Sequence, residues 1–290
     1  MIRSNPPRRY STGKLLILAF LFVFLGYFLL PLLWLFIAST KSNAGLFNSF
    51  GFWFAKDFNL ATNLKDLFTY QNGAFIVWMK NTAIYASVAS LGSSLISALA
   101  GYAFSQYRFA GRSFLFGIVL GSVFVPTTVF AVPLYLLISK SGLSGSLLAV
   151  ILPALVSPFG VYLMRIYAEQ AIPEELIDAA RIDGAGEFRI FATIAFRLLL
   201  PGYVTVLLFA FVGAWNNYFL PLLVLSKSAI YPVTVGLAYW NSLAAQQSAV
   251  QILYPLVITG SVVGTLPVMV LFLFLQRFWQ NGLALGSIKG

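Results

Sequence analysis

The sequence predicts an all-α membrane protein with about six transmembrane helices. Three observations carry that prediction. Of the 290 residues, 60% are hydrophobic and 9% are charged, whereas soluble domains carry roughly 25% charged residues. Six apolar runs each reach the ~20 residues that a bilayer-spanning helix requires. The basic residues between those runs alternate in density from one gap to the next, which is the pattern that fixes orientation. Mean hydropathy is +0.88, so there is too little polar surface to cover a globule in water.

The first 14 residues are polar and basic (Arg3, Arg8, Arg9, Lys14) and lead into an apolar run at 15–38. That run is too long for a signal-peptide core, and no small-residue cleavage site follows it, so it reads as a retained span. Further spans are predicted at 81–104, 114–138, 145–166, 198–225 and 253–276, and a polar tail fills 277–290. Prolines 31, 126, 133, 153, 158, 221 and 267 lie in or beside these runs. They predict kinks and broken turns, which a membrane protein tolerates where helices line protein or water. Gly260 and Gly264 in the last run have the spacing that lets two helices approach closely; chance glycine in a glycine-tolerant helix explains them equally well.

Twelve of the 18 basic residues, including every arginine, fall on the side of the two termini: the N-terminus, Arg108 and Arg112, the 165–197 stretch with Arg165, Arg181, Arg189 and Arg197, and the tail with Arg277 and Lys289. The opposite side holds Lys41, Lys56, Lys65, Lys80, Lys140 and Lys227. Both ends are therefore predicted to be cytoplasmic. The net charge of +10 becomes a topology signal, with anionic membrane lipid as its partner, and nucleic acid is not expected. The chain has no cysteine and no histidine, which removes disulfides, imidazole metal ligands and the usual proton shuttle. Lys80 and Arg197 sit at span ends, where long side chains reach the interface. Without carboxylates inside the spans, self-powered ion coupling is disfavoured. No Gly-x-x-x-x-Gly-Lys-Ser/Thr pattern is present: Gly13-Lys14 has Arg8 in place of the first glycine and Leu15 after it. The chain cannot cradle nucleotide phosphates in that way.

Six of the eight acids lie in one polar segment, 167–197. Pro173 suits the start of a helix, and Glu174 and Glu175 follow in its first turn beside the positive dipole end. Leu176, Ile177, Ala179, Ala180 and Ile182 form an apolar side, Asp178 and Arg181 are spaced to pair, and Gly184 ends the helix. A second amphipathic run follows from Gly186, with Phe188, Phe191 and Ile194 on one side. A helix lying on lipid normally shows a lysine- and arginine-rich face. This one is acidic, which favours a protein partner.

The segment resembles the cytoplasmic coupling loop of permease subunits of ABC importers, in which Glu-Ala-Ala is followed by three residues, Gly, and a spaced Ile and Pro. The matching residues are Asp178-Ala179-Ala180, Gly184, Ile194 and Pro201; Asp178 replaces the usual Glu, and Arg197 stands where a first proline is common. The Ile172-Pro173-Glu174-Glu175-Leu176 and Ile182-Asp183-Gly184-Ala185 runs, Ala214-Trp215-Asn216-Asn217-Tyr218-Phe219, Leu266-Pro267-Val268 and the ending Leu275 to Gly290 are similar to carbohydrate importer permeases of the maltose and multiple-sugar type.

The resemblance implies the type I ABC importer permease fold, with a transmembrane domain at 15–276, a coupling loop at 167–197 and a docking motif at 173–201. The chain would be a multi-pass protein of a prokaryotic cell membrane, not an enzyme. ATP and magnesium would be bound by a partner ATP-binding-cassette ATPase dimer and no cofactor by this chain. A second homologous permease and an extracytoplasmic sugar-binding protein would complete the importer. Docking falls to Glu174, Glu175, Asp178, Ala179, Ala180, Asp183, Gly184 and Ala185. Trp215, Asn216, Asn217 and Tyr218 are candidates for sugar contact, because aromatic faces suit sugar C–H surfaces and amides suit hydroxyls; an interfacial aromatic belt with polar helix contacts is the structural alternative. Trp240 and Asn241, expected in an outer loop, would touch the binding protein or cap the fold. Rival readings are an ABC permease for another solute such as glycerol phosphate, an ATP-independent secondary carrier, and a membrane anchor for a cytoplasmic enzyme.

Overall fold

In the computed structural model, which describes residues 12–246 and 253–286, every regular element is helical. Five helical stretches are long and apolar enough to cross a membrane: Gly13–Ser39, Leu60–Gln106, Leu147–Ala171, Glu187–Trp215 and Leu253–Gln276. A bent pair, Arg112–Val123 with Thr127–Lys140, makes a sixth if counted as one span. The predicted span at 114–138 is thus broken and turns by 99°. Pro126, just before Thr127, has no N–H to continue the ladder, and residue 125 is pushed out of the helical region. The predicted span at 198–225 also breaks: one helix ends at Trp215 and another starts at Phe219.

The described residues form two units. One comprises the chain up to Leu67 with Leu243–Val262. In it α1 (Thr12–Ser39) turns nearly its whole apolar surface outward until Ile37. Such a helix is at home only against lipid or another membrane chain. The chain then closes on itself. Asn63 Nδ2 donates to Ser39 O at 2.8 Å and to Lys41 O at 2.9 Å, and Lys41 Nζ donates to Phe50 O at 2.8 Å. Lys41 is only 1% exposed, a buried cation that the sequence reading did not single out. The short helix α2 (Asn43–Asn48) is capped by Ser42, which accepts from Gly45 N at 3.1 Å.

The other unit comprises Phe68–Ser242 with Val263 onward. The helix α3 (Leu60–Gln106) enters it and is interrupted at 70–73, where Gln71, Asn72 and Gly73 are all left-handed (φ 48°, 55° and 78°). Left-handed geometry is uncommon for Gln, whereas Asn and Gly adopt it more readily. Gln71 is held by Trp240 Nε1, which donates to its Oε1 at 3.1 Å. Trp240 is fully buried against Trp78. It lies in a helix, Val233–Gln246, rather than in irregular chain, and its indole packs inside the fold, whereas Asn241 is exposed.

Then follow α4 (Arg112–Val123), α5 (Ala131–Lys140), α6 (Leu147–Ala154), α7 (Pro158–Ala171), α8 (Glu174–Ile182), α9 (Glu187–Ile190), α10 (Phe196–Trp215), α11 (Phe219–Val224), α12 (Val233–Gln246) and α13 (Leu253–Gly286). A π-helical turn, Phe191–Ala195, joins α9 to α10 without a break. In lipid there is little hydrophobic drive between helices, so close approach depends on small residues. A methyl group on Gly101 would fall 2.6 Å from Arg165 N, so α3 lies against the backbone of α7 there. Gly264 is not such a site, since a methyl there would sit 3.8 Å from Val233; instead Gly264 O accepts from Trp215 Nε1 at 3.0 Å.

Candidate functional site

Two places in the second unit concentrate polar chemistry: the corner around α8 and a cavity where helices break.

The helix α8 forms for local reasons. Pro173 precedes it in extended geometry (φ −64°, ψ 136°), Glu174 and Glu175 occupy its first turn and Arg181 its last, matching the helix dipole at both ends. Gly184 turns the chain out with φ +77°. Only a narrow stripe of α8 is buried. Ile177 and Ala180 pack into a cluster with Ala98, Tyr102, Met164, Ile190 and Leu199. The other expected apolar positions face outward: Leu176 and Ala179 are exposed, and Ile182 is 87% exposed. Phe188, expected on a packed side with Phe191, is 81% exposed while Phe191 is buried.

Of the eight predicted docking residues, Glu174, Glu175, Asp178, Ala179, Asp183 and Gly184 are exposed, Ala185 is half-buried and Ala180 faces the core. Two outward apolar side chains therefore flank an acidic surface, a composition suited to a protein partner. Ile182 and Phe188 escape sequence reasoning because their amphipathic pattern looks like packing. Asp178 Oδ1 accepts from Arg181 Nη1 at 3.1 Å, and Glu187 Oε1 accepts from Arg181 Nε at 2.8 Å. Hydrogen bonding to Glu187 holds the Arg181 guanidinium pKa above its usual range. A cleft of about 290 Å³ beside α8 is lined by Gln106, Arg108, Glu174, Ile177, Asp178 and Arg181. Nearby, Arg165 Nε donates to Glu169 Oε1 at 2.8 Å, Arg112 reaches the same oxygen at 3.7 Å, and the Arg165 guanidinium lies 3.8 Å from the Phe116 ring centroid. Residues from two of the arginine-bearing gaps thus meet around α7 and α8.

The cavity has a volume of about 450 Å³. Three helix breaks converge on it: the α4–α5 bend at Pro126, the α6–α7 break between Pro153 and Pro158, and the α10–α11 break at 216–218. Its polar lining is Ser93, Thr127, Thr128, Ser157 and Asn217, and none of its described lining residues is ionisable. Ser93 is fully buried, and its Oγ has no hydrogen-bond partner among the described residues. A buried hydroxyl without a partner is costly, so a hydroxyl-bearing solute is chemically suited to this wall.

Of the four candidates for sugar contact, only Asn217 lines the cavity. Trp215 is buried, stacks on Phe211 at 5.4 Å and donates to Gly264 O. Asn216 Nδ2 donates to Val212 O at 2.9 Å, back along its own helix. Tyr218 is exposed beside the break. Ser93, Thr127, Thr128 and Ser157 carry no local signal of their own; only Pro126, Pro153 and Pro158 flag the breaks that expose them. Among the described residues no cluster of acidic side chains has metal-binding geometry.

Comparison with known proteins shows the family. Residues 93–283 match the family described as binding-protein-dependent transport system inner membrane component. The chain is 34% identical over 285 residues to the arabinooligosaccharides transport system permease protein AraQ of Halalkalibacterium halodurans, covering 95% of this chain and 96% of that one. It is 31% identical over 291 residues to the lactose transport system permease protein LacG of Rhizobium radiobacter, covering 99% and 98%. Its fold matches a crystal structure of a bacterial ABC transporter involved in the import of the acidic polysaccharide alginate, with TM-score 0.79, 21% identity, and coverage of 93% of this chain and 99% of that one. The chain therefore belongs to the family of binding-protein-dependent inner-membrane transport components: it is a multi-pass permease subunit of an ABC importer that works with a solute-binding protein and leaves ATP hydrolysis to a partner ATPase.

Proposed function

We propose that this permease takes up a neutral sugar or oligosaccharide, delivered from outside by a sugar-binding protein, and that α8 is where the ATPase pair docks. The observation that carries the docking reading is the outward surface of α8: four exposed acids (Glu174, Glu175, Asp178, Asp183) with Ile182 and Phe188 standing clear of the fold. The cavity, whose polar lining is four hydroxyls and one amide in a mostly apolar wall with no ionisable group among the described residues, supports a neutral polyhydroxylated solute over a phosphorylated one. The names of the relatives, arabinooligosaccharide and lactose permeases, point to the same class.

In this reading α8 and both termini face the cytoplasm, and a second, similar permease completes the pathway. Magnesium and ATP are held by the ATPases, and this chain binds no cofactor. ATP draws two ATPases together, and the docked α8 helices follow. The spans then rock between inward-open and outward-open packings. ATP drives that change only by its different affinity for the two states.

The test is made in the reconstituted importer. Asp178→Asn removes charge from the docking surface. Gly184→Leu places a side chain where an added methyl meets no atom within 4 Å, at φ +77°, so it projects into the partner's space from a strained backbone. Both are expected to leave assembly of the importer intact and to separate ATP hydrolysis from uptake. Wild-type solute uptake per ATP in both would overturn the docking assignment.

A further inference from the structure

The α8 corner contains a connection that docking alone does not use. Tyr107 directly follows the end of α3. Its hydroxyl donates to Glu187 Oε2 at 2.6 Å, the short range of a hydrogen bond to a carboxylate. Glu187 opens α9, and its Oε1 takes the Arg181 Nε donor from the last turn of α8. Arg181 in turn holds Asp178. One continuous set of contacts therefore ties the foot of α3, the start of α9 and the end of α8.

Behind the hydroxyl the rings continue inward. Tyr107 meets Tyr102 edge-on at 5.8 Å, Tyr102 meets Phe191 at 5.2 Å, Phe191 meets Phe196 at 6.0 Å, and Phe196 meets Tyr203 at 5.1 Å. The ladder ends in the first turns of α10 and includes the start of the π-helical turn at Phe191–Ala195, a type of irregularity that recurs at functional sites. Ile177 and Ala180 also pack toward α3, but apolar contact is non-directional and permits sliding. A hydrogen bond fixes register. A phenol is already a donor at physiological pH, and burial, reinforced by Glu187, raises the Tyr107 hydroxyl pKa further. Exposed ion pairs of this kind contribute little stability, so the arrangement is better explained by position than by fold energy.

We propose that Tyr107 is a positioning residue of the transport cycle: through Glu187 it fastens the α8–α9 corner to the foot of α3, so that movement imposed on α8 reaches the α3 span together with α10. Without the link, the covalent chain delivers that movement to α7 and α10, and α3 follows only through apolar contact. The proposal rests on α8 being the ATPase dock.

The test uses the complete importer in vesicles, with its ATPase and binding protein. Solute moved per ATP hydrolysed and the KM for ATP are measured on the same preparation. Loss of one such hydrogen bond corresponds to about 0.5–1.5 kcal/mol, or about twofold to tenfold. Tyr107→Phe is expected to lower solute per ATP within that range and to leave the ATP KM unchanged. Glu187→Gln, which retains an acceptor for Tyr107, should keep a higher ratio than Glu187→Ala. Tyr107→Phe combined with Glu187→Ala should be no worse than the worse single variant. A merely structural role would reduce assembled complex and lower both rates in proportion, which overturns the proposal, as does a wild-type ratio in Tyr107→Phe. If Asp178→Asn and Gly184→Leu uncouple but Tyr107→Phe does not, the dock stands and the link falls. If none of the three uncouples, the dock itself falls.

Discussion

Asn217 is the one candidate for sugar contact that lines the cavity of about 450 Å³. Its neighbours are committed elsewhere: Trp215 to Gly264 O, Asn216 to Val212 O. Successive residues at a helix end point about 100° apart, so a run of four cannot address one cavity together. Of the four candidates the sequence offered, the cavity lining includes one, because nothing local tells which amide folds back onto its own helix. Asn217→Ala removes one hydrogen-bonding group, worth about 0.5–1.5 kcal/mol. The solute concentration for half-maximal uptake is therefore expected to rise about twofold to tenfold. Asn216→Ala should stay near wild type. Dose–response curves of uptake for the two variants, run side by side, check this; equal effects would remove Asn217 from its role.

At the scale of elements, the two features of most use are a helix that stands out and helices that stop short. The start and end of α8 were legible from Pro173, the Glu174-Glu175 pair and Gly184, since dipole and backbone geometry act locally. Its outward face was not: Ile182 fits the apolar side by spacing, yet it is 87% exposed. Periodicity reports which residues share a side, and it cannot report whether this chain supplies a surface to cover them. The breaks were foreshadowed by prolines, but their convergence on one cavity is a tertiary fact. Placement of α8 relative to the membrane follows from arginine bias alone and can be checked directly. The chain has no native cysteine, so Asp183→Cys creates a single thiol at the exposed end of α8. In sealed right-side-out vesicles it is expected to resist a membrane-impermeant maleimide and to react only after permeabilisation. Reaction in the sealed vesicles would place the helix outside and remove the dock with it.

At the scale of the whole molecule, the chain offers a mostly apolar cavity with four hydroxyls and one amide in its wall, an outward apolar first helix and an acidic corner at α8, and its own sequence carries no P-loop. ATP hydrolysis belongs to a partner subunit. Composition and apolar run lengths made the all-α membrane fold legible, because the bilayer leaves a spanning chain few backbone options. The division of the chain into two units was not legible, because it depends on which distant segments pack together. The most direct measurement is uptake of labelled neutral oligosaccharides into vesicles holding the complete importer, compared with vesicles holding this permease without its ATPase. The account predicts accumulation that requires ATP, the ATPase and the binding protein, and none with the permease alone. Sugar accumulation by the permease alone, without ATP, would contradict it.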